Sequence, residues 1–191
     1  MVIDTNGLGI GLADEMIKPQ YDEEGKYYPP YGFHNDENYF SIQPKEAIKI
    51  LYGIKANGPL NSKIHGNVYS RISSGAVRFL IKEQEAKSTL MATQAGQKMS
   101  VYKRGERLLP HEMTTKLFEE MANLRLKRTG SSTDIVLERI NERYPKDKYS
   151  SFAYGLWRIK ELEEEYMMKR RRRFGGSSGG RKLTFFTQNG G

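Results

Sequence analysis

The chain lacks cysteine altogether, and it also lacks long apolar runs. Without cysteine there is no disulfide framework, no thiolate metal site and no cysteine nucleophile, which suits a reducing cytoplasm. No stretch approaches the roughly twenty apolar residues of a membrane span, and the N-terminus lacks the basic region and apolar core of a signal peptide. A phosphate-binding loop of the form G-x-x-x-x-G-K-[ST] is also missing, so we do not expect this chain to act as an ATPase by itself. We therefore expect a soluble intracellular protein without a membrane partner.

Positive charge is in excess over the 191 residues. The chain has 31 Lys and Arg against 23 Asp and Glu, a formal net charge of +8. Much of the excess lies in one run, KRRRR at 169–173. Such a run fits salt-dependent phosphate contacts with DNA and fits equally well a solvated helix end, where cations complement the helix dipole. Polyanions are therefore the first partner to test.

The hydrophobic pattern predicts strands that alternate with helices. Strands are expected at 2–4, 46–56, 76–81 and 133–140, and helices at 9–19, 63–75 (capped by Asn61 or Ser62), 82–94, 110–128 and 146–173. Residues 20–44 are polar, aromatic and proline-bearing, which predicts a hairpin or surface insertion with a turn at 22–25. The alternation indicates an α/β domain around a mixed sheet.

Asp4 ends the first predicted strand and precedes a glycine ladder of Gly7, Gly9 and Gly11. A carboxylate there suits a metal ligand or a ribose contact, and it suits equally an Asx turn that caps the loop. The glycines come close to a dinucleotide-binding fingerprint, but the third is one residue early and residues 20–46 show no further parallel β-α-β pair. A nucleotide-binding enzyme is therefore the weaker alternative.

Asp147 opens the final predicted helix, where the helix dipole favours a carboxylate. It could serve only that purpose, or it could converge with Asp4 on a divalent cation, for which hard carboxylate oxygens favour Mg²⁺ or Mn²⁺. The histidines His34, His65 and His111 show no metal-binding spacing. We expect them to be structural or surface groups.

The order of several segments resembles one protein family. These are MVIDTNGLGIGLADEM, LNSKIHGNVYSRISSGAVRFLIKEQEAK, GQKMS, LFEEMANLR and KDKYSSFAYGLWRIK. Together they resemble the C-terminal nuclease domain of the large terminase subunit of tailed bacteriophages, the motor that packages genome DNA into a procapsid and cuts it. The resemblance extends to about Glu165.

The resemblance implies an RNase H-like mixed sheet flanked by helices, with an acidic cluster that binds two divalent metal ions. Asp4 matches the carboxylate on a central strand, and Asp147 matches the one on the late helix. A metal-dependent endonuclease with a two-metal Mg²⁺ or Mn²⁺ site is therefore expected. Basic residues that would hold the DNA backbone are Lys146, Lys148, Arg158, Arg170, Arg171, Arg172 and Arg173.

The family pattern also includes an ATPase domain and a first nuclease strand with a catalytic aspartate, and both would precede Met1. We therefore expect residues 1–168 to form a partial nuclease domain, incomplete at its N-terminus, and 169–191 a basic, Gly/Ser-rich tail. Four other aspartates do not sit where the missing strand would, namely Asp14, Asp22, Asp36 and Asp134. The isolated piece is expected to cut DNA poorly.

The partners that the resemblance implies are double-stranded DNA, the terminase ATPase part, the small terminase subunit and the portal protein. The implied location is the host bacterial cytoplasm, at the procapsid portal. An alternative from another class is a non-catalytic DNA-binding or docking subunit of the packaging machinery that kept the fold.

Overall fold

A computed structural model describes residues 1–6, 8–128 and 135–175. The chain divides into two compact units, Met1–Trp157 and Arg158–Gly191. Gly7, the predicted turn at 129–132, Asp134 and the expected tail from residue 176 onward lie outside the described residues. None of the helices in the described ranges is long and apolar enough to cross a membrane.

The described ranges form a mixed α/β protein with seven helices and seven strands. In chain order the elements are β1 (Val2–Asp4), α1 (Leu8–Met16), β2 (Gln20–Tyr21), β3 (Tyr27–Tyr28), β4 (Tyr31–Phe33), α2 (Glu37–Phe40), β5 (Ile48–Ile54), α3 (Gly58–Ser73), α4 (Glu83–Met91), α5 (Gln94–Lys98), α6 (Val101–Ala122), β6 (Leu124–Arg128), β7 (Ile135–Arg139) and α7 (Asp147–Gly175).

The central sheet has three parallel strands in the order β1-β5-β4. Its register pairs Val2 with Tyr52 and Phe33 with Leu51. The antiparallel pairs β2-β3 and β6-β7 form two separate small sheets. The α/β class is confirmed, although within the described ranges the central sheet is parallel and the antiparallel strands lie apart from it.

Each face of the central sheet has its own apolar core, because successive side chains of a strand point to opposite faces. On one face the strands contribute Ile3, Phe33 and Leu51. These side chains pack against Ala13 of α1 and against Ile17, which directly follows this helix. Full burial of each large side chain stabilises the fold by roughly 1.5–3 kcal/mol.

The opposite face is covered by α3, α6 and the beginning of α7. Ile54 of β5 packs there with Ile64 and Val68, which lie one turn apart on α3. From α7, Tyr149 and Ala153 join this core. The two helices that follow β1 and β5 therefore lie on opposite faces of the sheet, which leaves space at the carboxyl ends of these strands, where open α/β sheets commonly bind ligands.

Most of the predicted elements are confirmed, and four expectations are wrong. The segment at 76–81 is not a strand: Val77 and Phe79 pack on the α3 face, but no strand among the described residues pairs with them. Residues 95–100, which the sequence predicts as a loop, include most of α5, whose first turn is capped by Thr93. The cap of α3 is Asn57, whose side chain accepts the N–H of Leu60 at 2.9 Å.

The helix predicted at 110–128 is the fourth error. It begins earlier, at Val101, because Ser100 caps it and Pro110 is accommodated inside it. It ends at Ala122, since residues 124–128 form β6 and pair with β7. Likewise, the region 20–46 contains the expected hairpin but also β4, a parallel strand that the sequence interpretation missed.

Candidate functional site

A cavity of about 490 Å³ lies on the α3 face of the first unit and reaches the carboxyl end of β1. Its walls come from β1, the beginning of α3, the β6-β7 pair and the beginning of α7. The polar side chains that line it are Asp4, Asn61, His65, Lys146, Asp147, Tyr149, Ser150, Ser151 and Tyr154. Asp4 and Asp147, the two aspartates singled out in the sequence, therefore line one cavity.

Asp4 is held at the cavity wall from two directions. It shares a face of β1 with Val2, because Ile3 points into the opposite core. Its Oδ1 accepts the backbone N–H of Asn6 at 2.9 Å, so the expected Asx turn is present. Its Oδ2 accepts the hydroxyl of Tyr154 at 3.5 Å. Burial and the neighbouring Asp4 carboxylate raise the pKa of Tyr154. The phenol therefore keeps its proton and donates a hydrogen bond to Asp4.

Gly9 explains part of the glycine ladder by packing. A side chain at this position of α1 would collide with the backbone carbonyl of Asp4, whereas Gly11 has open space around it. Gly9 therefore allows the first turn of α1 to lie directly against the end of β1. No phosphate ligand is needed to account for a glycine here, which weakens the dinucleotide interpretation.

A buried carboxylate on α6 fixes the beginning of α7, and with it Asp147. Glu120 is only 3% exposed, and its Oε2 accepts the backbone N–H of Tyr149 at 2.9 Å. Its Oε1 lies 3.4 Å from the ammonium of Lys148. Asp147 is the first residue of this helix, so it complements the helix dipole and faces the cavity as well.

His65 forms the α3 wall of the cavity. Its Nδ1 lies 3.0 Å from the hydroxyl of Tyr149, which is buried. Burial, and secondarily the positive charge of Lys146, lower the pKa of His65 to about 4. The imidazole is therefore neutral at pH 7.

The predicted basic residues are distributed over both units. Lys146 lines the cavity beside Asp147, whereas Lys148 pairs with Glu120 and borders an adjacent shallow depression. Arg158 belongs to the second unit, where it pairs with Glu165 at 3.0 Å. The run 170–173 lies on the second-unit part of α7.

The donor set of the cavity suits one hard divalent cation. Mg²⁺ is commonly held by one or two carboxylates with water completing its octahedron, and Asp4 and Asp147 are the two carboxylates that line this cavity. No group of three or more His, Cys, Asp or Glu side chains that could hold a metal occurs among the described residues. Asp36 caps α2 and pairs with Lys55, and Asp14 accepts the hydroxyl of Tyr39, so neither adds to the cavity.

Several site residues were not found by sequence reasoning. Tyr149, Tyr154, Asn61 and Glu120 carry no spacing that marks them, and His65 had been expected to be a structural or surface group. The partners His65 and Tyr149 are 84 residues apart, and Asp4 and Tyr154 are 150 apart. Only the tertiary structure joins them.

Comparisons of the chain with family models, with curated proteins and with solved structures find no match.

Proposed function

We propose that this chain is a nuclease module that uses Asp4 and Asp147 to bind Mg²⁺ or Mn²⁺ and hydrolyses phosphodiester bonds of double-stranded DNA. The observation that carries the proposal is the shared cavity: two aspartates 143 residues apart line it together with Lys146. Carboxylates for a cation and an ammonium for a phosphate are the groups that such a reaction needs. A bound divalent cation would supply activation of a water molecule and charge stabilisation of the leaving oxygen.

The particular protein that we propose is the nuclease part of a tailed-phage large terminase, with an RNase H-like domain. The sequence segments quoted above and the pairing of a strand carboxylate with a late-helix carboxylate support this assignment. We propose further that the ATPase-bearing part of the terminase contributes another carboxylate, since two metal ions need more ligands than Asp4 and Asp147 offer. Double-stranded DNA, the small terminase subunit and the portal protein would be its partners in the host cytoplasm.

Binding of Mn²⁺ tests the role of the aspartates directly, measured as loss of the free-ion signal in electron paramagnetic resonance. We expect Asp4→Asn and Asp147→Asn each to weaken Mn²⁺ binding by about tenfold or more, because each removes a charged ligand. Asp14→Asn is the matched control, since Asp14 lies outside the cavity. Equal Mn²⁺ binding by all four proteins would refute the proposed site.

A second candidate function is a non-catalytic DNA-binding or docking subunit. It is favoured by the small number of carboxylates that the described residues bring to the cavity. Incubation of plasmid DNA with Mn²⁺, the chain and the ATPase-bearing part separates the two functions. Cleavage that is lost in Asp147→Asn supports the nuclease, whereas binding without cleavage supports the docking subunit.

A further inference from the structure

The hydrogen bond between His65 and Tyr149 determines which ring nitrogen carries the proton. Tyr149 is a buried residue, and a tyrosine hydroxyl carries its proton near neutral pH because its ordinary pKa is about 10. Among the described residues its hydroxyl has one hydrogen-bonding partner, Nδ1 of His65. A buried O–H without an acceptor is costly, so Tyr149 donates to Nδ1. His65 then carries its proton on Nε2.

The Nε2–H of His65 is available to a ligand. Within the part of the chain that the structure describes, it has no hydrogen-bonding partner. It also does not belong to the fully buried side-chain atoms without a partner, so it is accessible to solvent. His65 lines the cavity, and Nε2 is the ring nitrogen that the Tyr149 hydroxyl does not occupy. Lys146 lines the cavity as well, so the cavity offers an ammonium and an imidazole N–H as donors in addition to the acceptor-only carboxylates of Asp4 and Asp147.

We propose that His65 contacts the substrate: its Nε2–H donates a hydrogen bond to a non-bridging oxygen of a DNA phosphate, and Tyr149 orients the ring for this contact. The inference rests on the proposed function, since it names how the same cavity holds the DNA backbone. A phosphate fits these donors because it presents several acceptor oxygens to a neutral and a charged donor at once.

The tautomer and the contact can be observed in the wild-type protein. A long-range ¹H–¹⁵N spectrum of the histidines is recorded near neutral pH, before and after addition of a short DNA duplex with Ca²⁺ to prevent cleavage. We expect His65 to show the Nε2–H form and its Nε2 resonance to shift on DNA binding. The Nδ1–H form, or an unchanged Nε2 resonance in the complex, would overturn the proposal.

Two substitutions at the same position separate the two ring nitrogens. His65→Asn keeps an acceptor near Nδ1 but has no donor at the position of Nε2, and we expect it to weaken DNA binding about tenfold. His65→Gln can place an amide N–H near the position of Nε2, and it should lose less. His111→Gln is the control, since His111 bonds to the carbonyl of Ile81 outside the cavity. Equal affinities for all these proteins would contradict the contact.

The salt dependence of binding distinguishes His65 from Lys146. A neutral donor releases no counterion, so His65→Asn should leave the slope of log K against log salt unchanged. Lys146→Gln removes a charge and should reduce that slope by about 0.9. A wild-type chain that does not bind the duplex would overturn both this inference and the proposed function. Loss of Mn²⁺ binding in Asp4→Asn, with DNA binding that is indifferent to His65, would overturn the inference alone.

Discussion

A shift from pH 7 to pH 5 should destabilise the protein through His65. In the folded chain burial and Lys146 lower the pKa of this imidazole to about 4, against an ordinary value of 6.5. The unfolded chain therefore binds a proton between these two pH values that the folded chain does not bind. The stability that the neutral ring contributes is complete above pH 6.5 and is lost as the pH falls toward 4.

The size of the effect follows from the two pKa values. Linkage gives a loss of roughly 2 kcal/mol between pH 7 and pH 5 if the whole difference counts. Because the ring is open to the cavity on one side, solvent screening reduces the expected loss to about 1 kcal/mol. Urea denaturation at pH 7 and pH 5 measures the free energy of unfolding. Because carboxylates elsewhere in the chain also contribute to the difference between the two values, a variant without the histidine is needed.

His65→Gln isolates the contribution of the histidine, since glutamine does not titrate. We expect the pH-dependent loss of stability to be smaller in this variant by about 1 kcal/mol. His111→Gln, which makes the same replacement outside the cavity, serves as the control. If wild type and His65→Gln lost the same free energy of unfolding between pH 7 and pH 5, the argument that His65 is held neutral would be wrong.

Two further predictions concern the elements that support the cavity. Glu120→Ala removes the buried acceptor of the Tyr149 N–H, so the free energy of unfolding measured in urea should fall by about 1–3 kcal/mol. Glu120→Gln should lose less stability, because its amide oxygen can still accept this N–H. Gly9→Ala forces α1 away from the carbonyl of Asp4 and should lower the free energy of unfolding by about 1–3 kcal/mol. Gly11 lies on the same helix with open space around it, so Gly11→Ala should be neutral or stabilising by up to about 1 kcal/mol. Equal stability of the two glycine variants, or an unaffected Glu120→Ala protein, would contradict these packing arguments.

Local patterns were sufficient to predict elements whose own residues determine them. The apolar run of β5 predicts a strand, and the spacing of Ile64, Val68 and Ile72 predicts a helix. On α3 these three residues face one core, as the helical period requires. The turn at 22–25 was also predictable, since Gly25 has a positive φ of 78° and Asp22 accepts two backbone N–H groups.

Elements that depend on distant partners could not be predicted in this way. The sequence predicts the segment 124–128 as the end of a helix, but Leu126 pairs with Leu137 and Arg125 with Glu138 across β6 and β7. A helical and a strand interpretation compete for such a short segment, and the cross-strand pairs decide between them. The segment 76–81 shows the converse, because β-forming residues remain without a partner strand among the described residues.

The candidate site was predictable only in its charged residues. Carboxylates at a strand end and at a helix start can be identified in the sequence, because these positions suit a metal ligand. The groups that hold them in place, Tyr154, Tyr149 and Glu120, are ordinary helix residues in the sequence. Their function depends on which elements pack together, and a single sequence gives no direct signal for that.

The long sequence separation between Asp4 and Tyr154 has a consequence for synthesis on the ribosome. The strand that carries Asp4 is synthesised well before its partner, because the hydroxyl that holds the Asp4 carboxylate follows 150 residues later. A nascent chain therefore cannot assemble the cavity until nearly all of the first unit has left the exit tunnel, and contacts of such separation also form slowly. The cavity is therefore completed late in synthesis, after the helix that carries Tyr154 is available to pack.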